Sequence, residues 1–189
     1  MVVARNQRLT ERFRILRSHG ITSSTYQRFK GHVYGYDVAE LGYNYRLDEI
    51  RAAIGIEQLR KLPVFNVQRK ERVERYRRMI LEKLPQVRVP FAERNTDSAY
   101  HIFPVLLPGD DEMRDKVLRG MAEFGVQCSM HYKPIHLFSA YKSFVAKVPF
   151  TEYIATSMIT LPLFPTLSDE QMDIVIDGLQ TCLVGEAQN

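Results

Sequence analysis

Residues 41–47 read Leu-Gly-Tyr-Asn-Tyr-Arg-Leu, and this stretch divides an irregular segment from a helical one. Upstream, Thr10 to Ser18 predicts one short helix with Gly20 just past its end. From Ile21 to Arg46 no hydrophobic period is visible, and glycines and tyrosines are frequent. A connection of this length is usually functional or disordered, and its aromatic content disfavours disorder. We therefore expect the segment to be functional.

Asn44 and Arg46 are two residues apart, so both side chains would lie on the same side of an extended segment. An amide that donates hydrogen bonds and a bidentate guanidinium together suit a phosphate or a carboxylate. The alternative is structural: Asn44 completes a turn, and Arg46 pairs with Asp48 or Glu49. The residue types alone leave both interpretations open and favour the structural one.

Helical periodicity begins near Leu47, where Asp48 and Glu49 suit the positive end of a helix. Pro63 interrupts the pattern, and a second helical segment follows that Pro85 closes, so Pro63 would lie at a kink or in a first turn. Residues 47–84 would span on the order of 50 Å at 1.5 Å per residue. An element of this length is expected to connect two bodies.

The last hundred residues show strand and helix patterns in turn, which predicts a compact α+β unit. Strands are predicted for two segments, Tyr100 to Leu107 and Val126 to Tyr132. Three helices are predicted: one from Asp111 that ends at a left-handed Gly125, one capped by Thr151 that ends before Leu161, and one whose capping box is Ser168 with Gln171.

A second polar group, His131-Tyr132-Lys133-Pro134-Ile135-His136, lies at the end of the predicted second strand. A metal site would require a third ligand, and the sequence offers none at suitable spacing, so no metal is expected. The segment suits the polar rim of a ligand pocket, where histidine and tyrosine donate to a hydroxylated substrate. It suits equally a turn whose tyrosine belongs to the core. No complete catalytic motif is present, so no catalytic residue is assigned.

Composition excludes several classes of protein. The 189 residues are 45% hydrophobic and 25% charged, which is typical of globular proteins, and no apolar run is long enough to span a membrane. The net charge of +4 combines +10 in residues 1–94 with −6 in the remainder. Many of these charges are at helical spacing, such as Glu71 and Arg75, so ion pairs on a helix face explain them better than nucleic-acid binding. Two cysteines and no leader sequence predict a cytoplasmic protein.

Five motifs occur in a fixed order along the chain: Leu16-Arg17-Ser18-His19-Gly20-Ile21, Leu41 to Leu47, Ala52-Ala53-Ile54-Gly55 with Gln58-Leu59, His131 to His136, and Leu161-Pro162-Leu163-Phe164-Pro165 followed by Ser168-Asp169-Glu170-Gln171. The set resembles the C-terminal half of the DegT/StrS-type aminotransferases. These are α/β enzymes of the aspartate-aminotransferase fold (fold type I) that use pyridoxal 5'-phosphate (PLP) and act mostly on keto sugars linked to nucleotides. The likeness covers residues 1 to 180.

The resemblance implies a division of the chain into three parts. Residues 1–46 would be the tail of the large PLP-binding domain with its active-site and dimer loop. Residues 47–84 would be long connecting helices, and residues 85–183 the small C-terminal α+β domain.

The resemblance also implies site residues. In the family the asparagine of the Gly-Tyr-Asn-Tyr-Arg motif reaches across a dimer to the phosphate of the neighbour's PLP, a role that falls on Asn44. Arg46 would lie in the same anionic neighbourhood or contact the substrate. Tyr132 and His136 would contact the nucleotide-sugar substrate.

In the family the Schiff-base lysine and most other PLP contacts precede the position at which this sequence begins, and none of its eight lysines has a matching context. PLP is therefore not expected to bind stably to this chain alone. The resemblance implies the truncated C-terminal part of an aminotransferase of polysaccharide biosynthesis. It would transfer an amino group from glutamate to the keto sugar, together with a complementary N-terminal half or within a homo-oligomer. The alternative is a non-catalytic remnant or a dimerisation module.

Overall fold

The computed structural model describes residues 2–22, 31, 37–94, 98–144 and 147–184. Three tyrosines of the predicted functional segment, Tyr26, Tyr34 and Tyr36, lie outside the described residues. The chain divides into two compact units, Met1–Arg60 (unit 1) and Lys61–Asn189 (unit 2).

Five helices and two strands make up the regular structure of the described residues. In chain order they are α1 (Gln7–Leu16), α2 (Glu49–Lys83), β1 (Phe103–Leu106), α3 (Asp111–Glu123), α4 (Pro149–Ser157), β2 (Met158–Leu161) and α5 (Asp169–Val184). Two single-turn 3-10 helices, Ile135–Leu137 and Ser139–Tyr141, lie between α3 and α4. No helix in the described ranges combines the length and the apolar character that crossing a bilayer requires.

Helix α1 begins three residues earlier than the sequence predicts. Its N-cap is Asn6, whose side chain accepts a hydrogen bond from the Leu9 N–H at 3.3 Å. Asparagine is among the best N-cap residues, so the helix starts there and Thr10 lies inside it.

Helix α2 is one helix of 35 residues with Pro63 in its interior, so the predictions of an interruption at Pro63 and of a first-turn position for it are wrong. A proline removes a single N–H, and the hydrogen bonds of the turns on either side can maintain the helix. The Arg51 N–H donates to Asp48 Oδ1 at 2.9 Å, which satisfies one free donor of the first turn. In its second half α2 places Val73, Tyr76 and Ile80 in the core of unit 2.

Strands β1 and β2 are antiparallel, with Phe103 opposite Leu161 and Leu106 opposite Met158. The predicted first strand is confirmed in shortened form. The prediction of a helix up to Leu161 is wrong for its last turn, because α4 ends at Ser157 and β2 follows directly. The predicted strand from Val126 to Tyr132 is wrong: only Ser129 pairs, in an isolated bridge to Thr160 of β2. Alternating polarity was present there, but a strand also needs continuous pairing with a neighbour.

Two of the three helix caps predicted for unit 2 are confirmed. Gly125 follows α3 with a left-handed φ of +70°, as predicted. Ser168 and Gln171 form the predicted capping box, in which each side chain accepts from the other's backbone N–H, at 3.2 and 2.9 Å. Thr151 is not a cap, because α4 begins at Pro149, where a proline is favoured in the first turn.

Helices α3 and α5 approach each other at two glycines. A Cβ built on Gly120 would lie 2.6 Å from Cys182 Sγ, and one built on Gly178 would lie 3.2 Å from the Phe124 ring. Each helix therefore has a notch that receives a side chain of the other. The buried core around these contacts also includes Val117 of α3. Residues of α2, both strands and α5 contribute to the same core.

Ion pairs join α2 to α5 within unit 2. Arg75 contacts Asp169 at 3.4 Å and Asp173 at 3.1 Å, and Lys83 contacts Asp177 at 2.7 Å. The predicted pair between Arg75 and Glu71 along α2 is wrong, because Arg75 is directed to the neighbouring helix.

Candidate functional site

The Gly-Tyr-Asn-Tyr-Arg segment of unit 1 is held by backbone hydrogen bonds to the end of α1. The Tyr43 N–H donates to the Leu16 carbonyl at 2.7 Å, and the His19 N–H donates to the Tyr43 carbonyl at 3.0 Å. The Tyr45 N–H donates to the Arg17 carbonyl at 2.9 Å. Two of the five motifs, which are separated by some twenty residues of sequence, are thus paired directly.

Two glycines allow this close pairing. A Cβ on Gly20 would lie 1.7 Å from the Glu40 carbonyl oxygen, and a Cβ on Gly42 would lie 2.0 Å from the Gly20 nitrogen. Gly20 also has a left-handed φ of +73°. No side chain fits at either position without moving a backbone. Arg12 adds a fork of hydrogen bonds to Glu40, which raises the pKa of the Arg12 guanidinium.

The pairing presents Asn44 and Arg46 to solvent. Asn44 lies opposite Ser18 in an antiparallel bridge, and its side chain makes no hydrogen bond within the described residues. The Tyr43 and Tyr45 rings stack with their centroids 5.1 Å apart. Because neighbouring residues of an extended segment face opposite sides, the Asn44 amide lies away from this stack.

The alternative in which Arg46 pairs with Asp48 or Glu49 is wrong for the described residues. Asp48 pairs with Arg51 at 3.3 Å, and its other oxygen accepts the Arg51 N–H. Within the part of the chain that the structure describes, Arg46 has no ion pair, and its side chain is exposed. The Arg46 guanidinium and the Asn44 amide thus have no partner among the described residues and lie two residues apart on a fixed backbone. This arrangement suits the binding of an anion.

In unit 2, His131 is held against β2. Its Nδ1 lies 2.9 Å from the Thr160 hydroxyl and 3.3 Å from the Ser129 hydroxyl. The Ser129 and Thr160 backbones exchange hydrogen bonds with each other at 2.6 and 3.2 Å. These contacts fix the position of His131, and its ring packs edge-on against the Tyr132 ring at 4.7 Å.

The same histidine lines an open cavity of about 180 Å³ together with the Leu161-Pro162-Leu163 motif. The Tyr76 hydroxyl donates to the Pro162 carbonyl at 3.1 Å, and burial is the main cause that raises the pKa of this tyrosine. Arg72 donates to the Leu167 carbonyl at 3.1 Å. The cavity wall is therefore anchored to α2 through Pro162, and the Arg72 bond holds the segment that follows the wall.

Tyr132 and His136 have different environments. Tyr132 is 71% exposed, which fits a surface available to a ligand better than the core alternative. His136 lies in a 3-10 helix, and its Nε2 contacts Glu152 Oε1 of α4 at 2.8 Å. This contact orients the imidazole.

Sequence reasoning missed Ser129, Thr160 and Glu152. Thr160 and Glu152 each contact a predicted histidine from a distant part of the chain, which no local spacing could have indicated. Ser129 is only two residues from His131, but its hydroxyl contact depends on how the chain bends there. Only the polar position of Thr160 among apolar neighbours in Met-Ile-Thr-Leu gave a signal, because a buried hydroxyl requires a partner.

Comparison with known proteins identifies the class. The chain is 26% identical to a putative sugar aminotransferase, Spr1654 of Streptococcus pneumoniae in its PMP form, with a TM-score of 0.85 over 96% of this chain and 46% of that one. Spr1654 has also been solved in a PLP form. The fold is thus that of half of a PLP-dependent sugar aminotransferase of fold type I, as the resemblance implies.

The chain belongs to the DegT/DnrJ/EryC1/StrS aminotransferase family, whose model matches residues 1–180. It is 30% identical to the uncharacterized protein MJ1066 of Methanocaldococcus jannaschii, over 95% of this chain and 48% of that protein. It is 32% identical to a Campylobacter jejuni UDP-4-amino-4,6-dideoxy-N-acetyl-beta-L-altrosamine transaminase, over 78% of this chain and 37% of that enzyme. The chain therefore spans about half, or less, of the length of these relatives.

Proposed function

We propose that this chain is the C-terminal part of a cytoplasmic PLP-dependent aminotransferase that transfers an amino group, from glutamate, to a keto sugar linked to a nucleotide. The chain spans about half, or less, of the length of its relatives, and the proposal includes a complementary N-terminal half that provides the family's cofactor lysine. The single observation that carries the proposal is the uncommitted Asn44 amide on a backbone that Gly20 and Gly42 fix in place.

The residues present fit one part of PLP, its phosphate. Asn44 offers two N–H donors and Arg46 a permanent positive charge, and neither is engaged by another described side chain. When bound, PLP supplies the electron sink that amino transfer requires. In this proposal Asn44 binds and orients the phosphate across a subunit boundary, and Arg46 neutralises the same anion or the substrate. Tyr132 and His136 contact the nucleotide sugar.

A partner surface supports the same proposal. Eight large apolar side chains of unit 1 are between 52% and 94% exposed: Leu41, Tyr43, Tyr45, Leu47, Ile50, Ile54, Ile56 and Leu59. Monomeric proteins rarely leave so many apolar side chains of one short segment open to water. The segment also contains Asn44, so a subunit or a complementary half that covers it would reach the amide.

The decisive experiment is complementation. The chain is mixed with a separately expressed N-terminal half of the Campylobacter jejuni relative. We expect the mixture to gain the absorbance of protein-bound PLP and to transfer an amino group from glutamate to a keto sugar nucleotide. The chain alone, treated with PLP and borohydride, should yield no stable adduct. If no N-terminal half of a family member restores either property, the proposal fails.

Variants test the role of Asn44. Asn44→Asp replaces two donors by a negative charge and should weaken PLP retention in the complemented enzyme about tenfold or more, since a hydrogen bond to a charged group contributes about 1.5–3 kcal/mol. Gln86→Ala, which removes an exposed amide from unit 2, is the matched control and should change nothing. Equal PLP retention in both variants would contradict the assignment.

Arg46→Met separates its two suggested roles. A weaker affinity for PLP at unchanged KM for the sugar nucleotide assigns Arg46 to the cofactor. A raised KM at unchanged PLP affinity assigns it to the substrate.

The same exposed apolar residues favour one second candidate, a non-catalytic module that pairs with copies of itself or with full-length relatives. Light scattering of the purified chain tests it. Self-association without any PLP binding after complementation supports the module, whereas a monomer that binds no apolar dye contradicts it.

A further inference from the structure

Unit 2 contains a second, larger cavity, and no part of the aminotransferase proposal uses it. It measures about 350 Å³ and lies between the middle of α2, the segment around Phe91 and the residues that lead into β1. Ligand pockets begin at about this size. The following inference does not depend on the aminotransferase proposal.

The cavity is cationic. Arg77 of α2 and Arg94 both line it, and no Asp or Glu of the described residues does. The Arg77 Nε atom is fully shielded from solvent and has no hydrogen-bond partner among the described residues. Protein atoms enclose this Nε, so the terminal N–H groups of the Arg77 guanidinium are the ones that can donate to a ligand in the cavity.

The second arginine is positioned by an aromatic ring. The Arg94 guanidinium lies over the Phe91 ring at 5.2 Å from the centroid, which leaves its N–H groups free to donate in the plane of the guanidinium. Ser98 adds a third donor: its oxygen accepts the Tyr100 N–H at 3.0 Å, and its own proton remains available.

The rest of the lining is apolar, with Val73, Pro90 and Ile102 among the contributors. Two lining residues, Phe91 and Tyr100, have left-handed φ values of +56° and +47°. Such backbone costs on the order of 1 kcal/mol or more and clusters at ligand sites. Together with the cation–π pair, this lining suits a flat apolar group beside the two positive charges.

We propose that this cavity binds a small molecule that carries a phosphate or carboxylate group on a flat, apolar ring. The anion lies between Arg77 and Arg94, where it accepts hydrogen bonds from the terminal N–H groups of both guanidinium groups, and Ser98 donates to it. The ring occupies the apolar part of the lining.

Calorimetric titration of the purified chain with simple probes tests both halves of this description. Phenyl phosphate and benzoate carry charge and ring, inorganic phosphate carries charge alone, and benzyl alcohol carries the ring alone. At least one of the first two should bind ten times more tightly than both of the last two, and the tighter of them identifies the anion. If neither binds more tightly than inorganic phosphate and benzyl alcohol, the proposal is overturned.

Matched variants locate the binding. Arg77→Gln and Arg94→Gln should each weaken the tighter probe tenfold or more, because each removes a charge-assisted hydrogen bond. Arg78→Gln, an exposed neighbour on α2 that does not line the cavity, should stay within twofold of wild type. Arg94 is exposed, so its variant should fold normally, with an unchanged thermal transition by circular dichroism. Equal affinities across the three variants would overturn the proposed location.

Discussion

Gly42→Ala probes the backbone pairing that presents Asn44. The new Cβ would lie 2.0 Å from the Gly20 nitrogen and 2.4 Å from the His19 carbonyl carbon. Both contacts are with backbone, so no side chain can rotate away, and the two segments must separate by about 1 Å to relieve the overlap.

That separation determines the size of the effect. It would take the Tyr43–Leu16 and His19–Tyr43 hydrogen bonds, now 2.7 and 3.0 Å, out of bonding range. At about 1 kcal/mol for each bond, the pairing loses about 2 kcal/mol. Protection of the Tyr43 and His19 amides against hydrogen exchange should therefore fall by roughly 30-fold.

Hydrogen exchange followed by mass spectrometry measures this locally, in peptides that cover residues 15–20 and 41–46. Gly55→Ala is the matched control: a Cβ there meets nothing within 4 Å, and the residue lies inside α2. Alanine should stabilise the helix by about 0.5–1 kcal/mol at that position. Unchanged protection of the Tyr43 amide in Gly42→Ala would refute the reasoning.

Three further predictions concern unit 2. Tyr76→Phe should lower the free energy of unfolding, measured in urea, by about 1 kcal/mol, because the hydrogen bond to the Pro162 carbonyl is lost. Tyr76→Ala should lower it by about 3–5 kcal/mol, because the buried ring is lost as well. A Tyr76→Phe variant as stable as wild type would show that the hydrogen bond contributes nothing. Ser168→Ala should cost about 1 kcal/mol of stability. The hydrogen bond to the Ser168 side chain is also the main cause that lowers the pKa of Glu170. The contact therefore stabilises the protein at neutral pH, and this stabilisation is lost as the pH falls through the pKa of Glu170. NMR titration should find a higher pKa for Glu170 in Ser168→Ala. Burial raises the pKa of the Cys128 thiol to about 11, so its alkylation should be slow at pH 8. The thiol of the unfolded chain ionises at a lower pH, so the free energy of unfolding should fall between about pH 9 and 11. Alkylation of Cys128 at pH 8 as rapid as in the unfolded chain would contradict this.

Features whose physics is local were predictable from the sequence. The capping box of Ser168 with Gln171 and the left-handed Gly125 each depend on residues within one helical turn. The polar segments around Asn44 and His131 were also visible, because glycine, amide and histidine patterns differ from the surrounding periodicity.

Features that depend on distant partners were not predictable. Strand β2 consists of four residues directly after a helix, too few to show a period, and it exists because β1 pairs with it. The contact of His131 with Thr160 joins residues 29 apart. Arg75 prefers α5 to its own helix because the tertiary fold brings two aspartates within reach.

The reciprocal glycine contacts between α3 and α5 have a consequence for how these helices can move. Cys182 fits Gly120, and one turn further along each helix Phe124 fits Gly178. Sliding the antiparallel pair by one turn in one direction would place the two glycines opposite each other and open a void. Sliding it the other way would drive Phe124 into Cys182. Helices α3 and α5 can therefore pack in only one axial register. If α5 moves along its axis, α3 has to move with it.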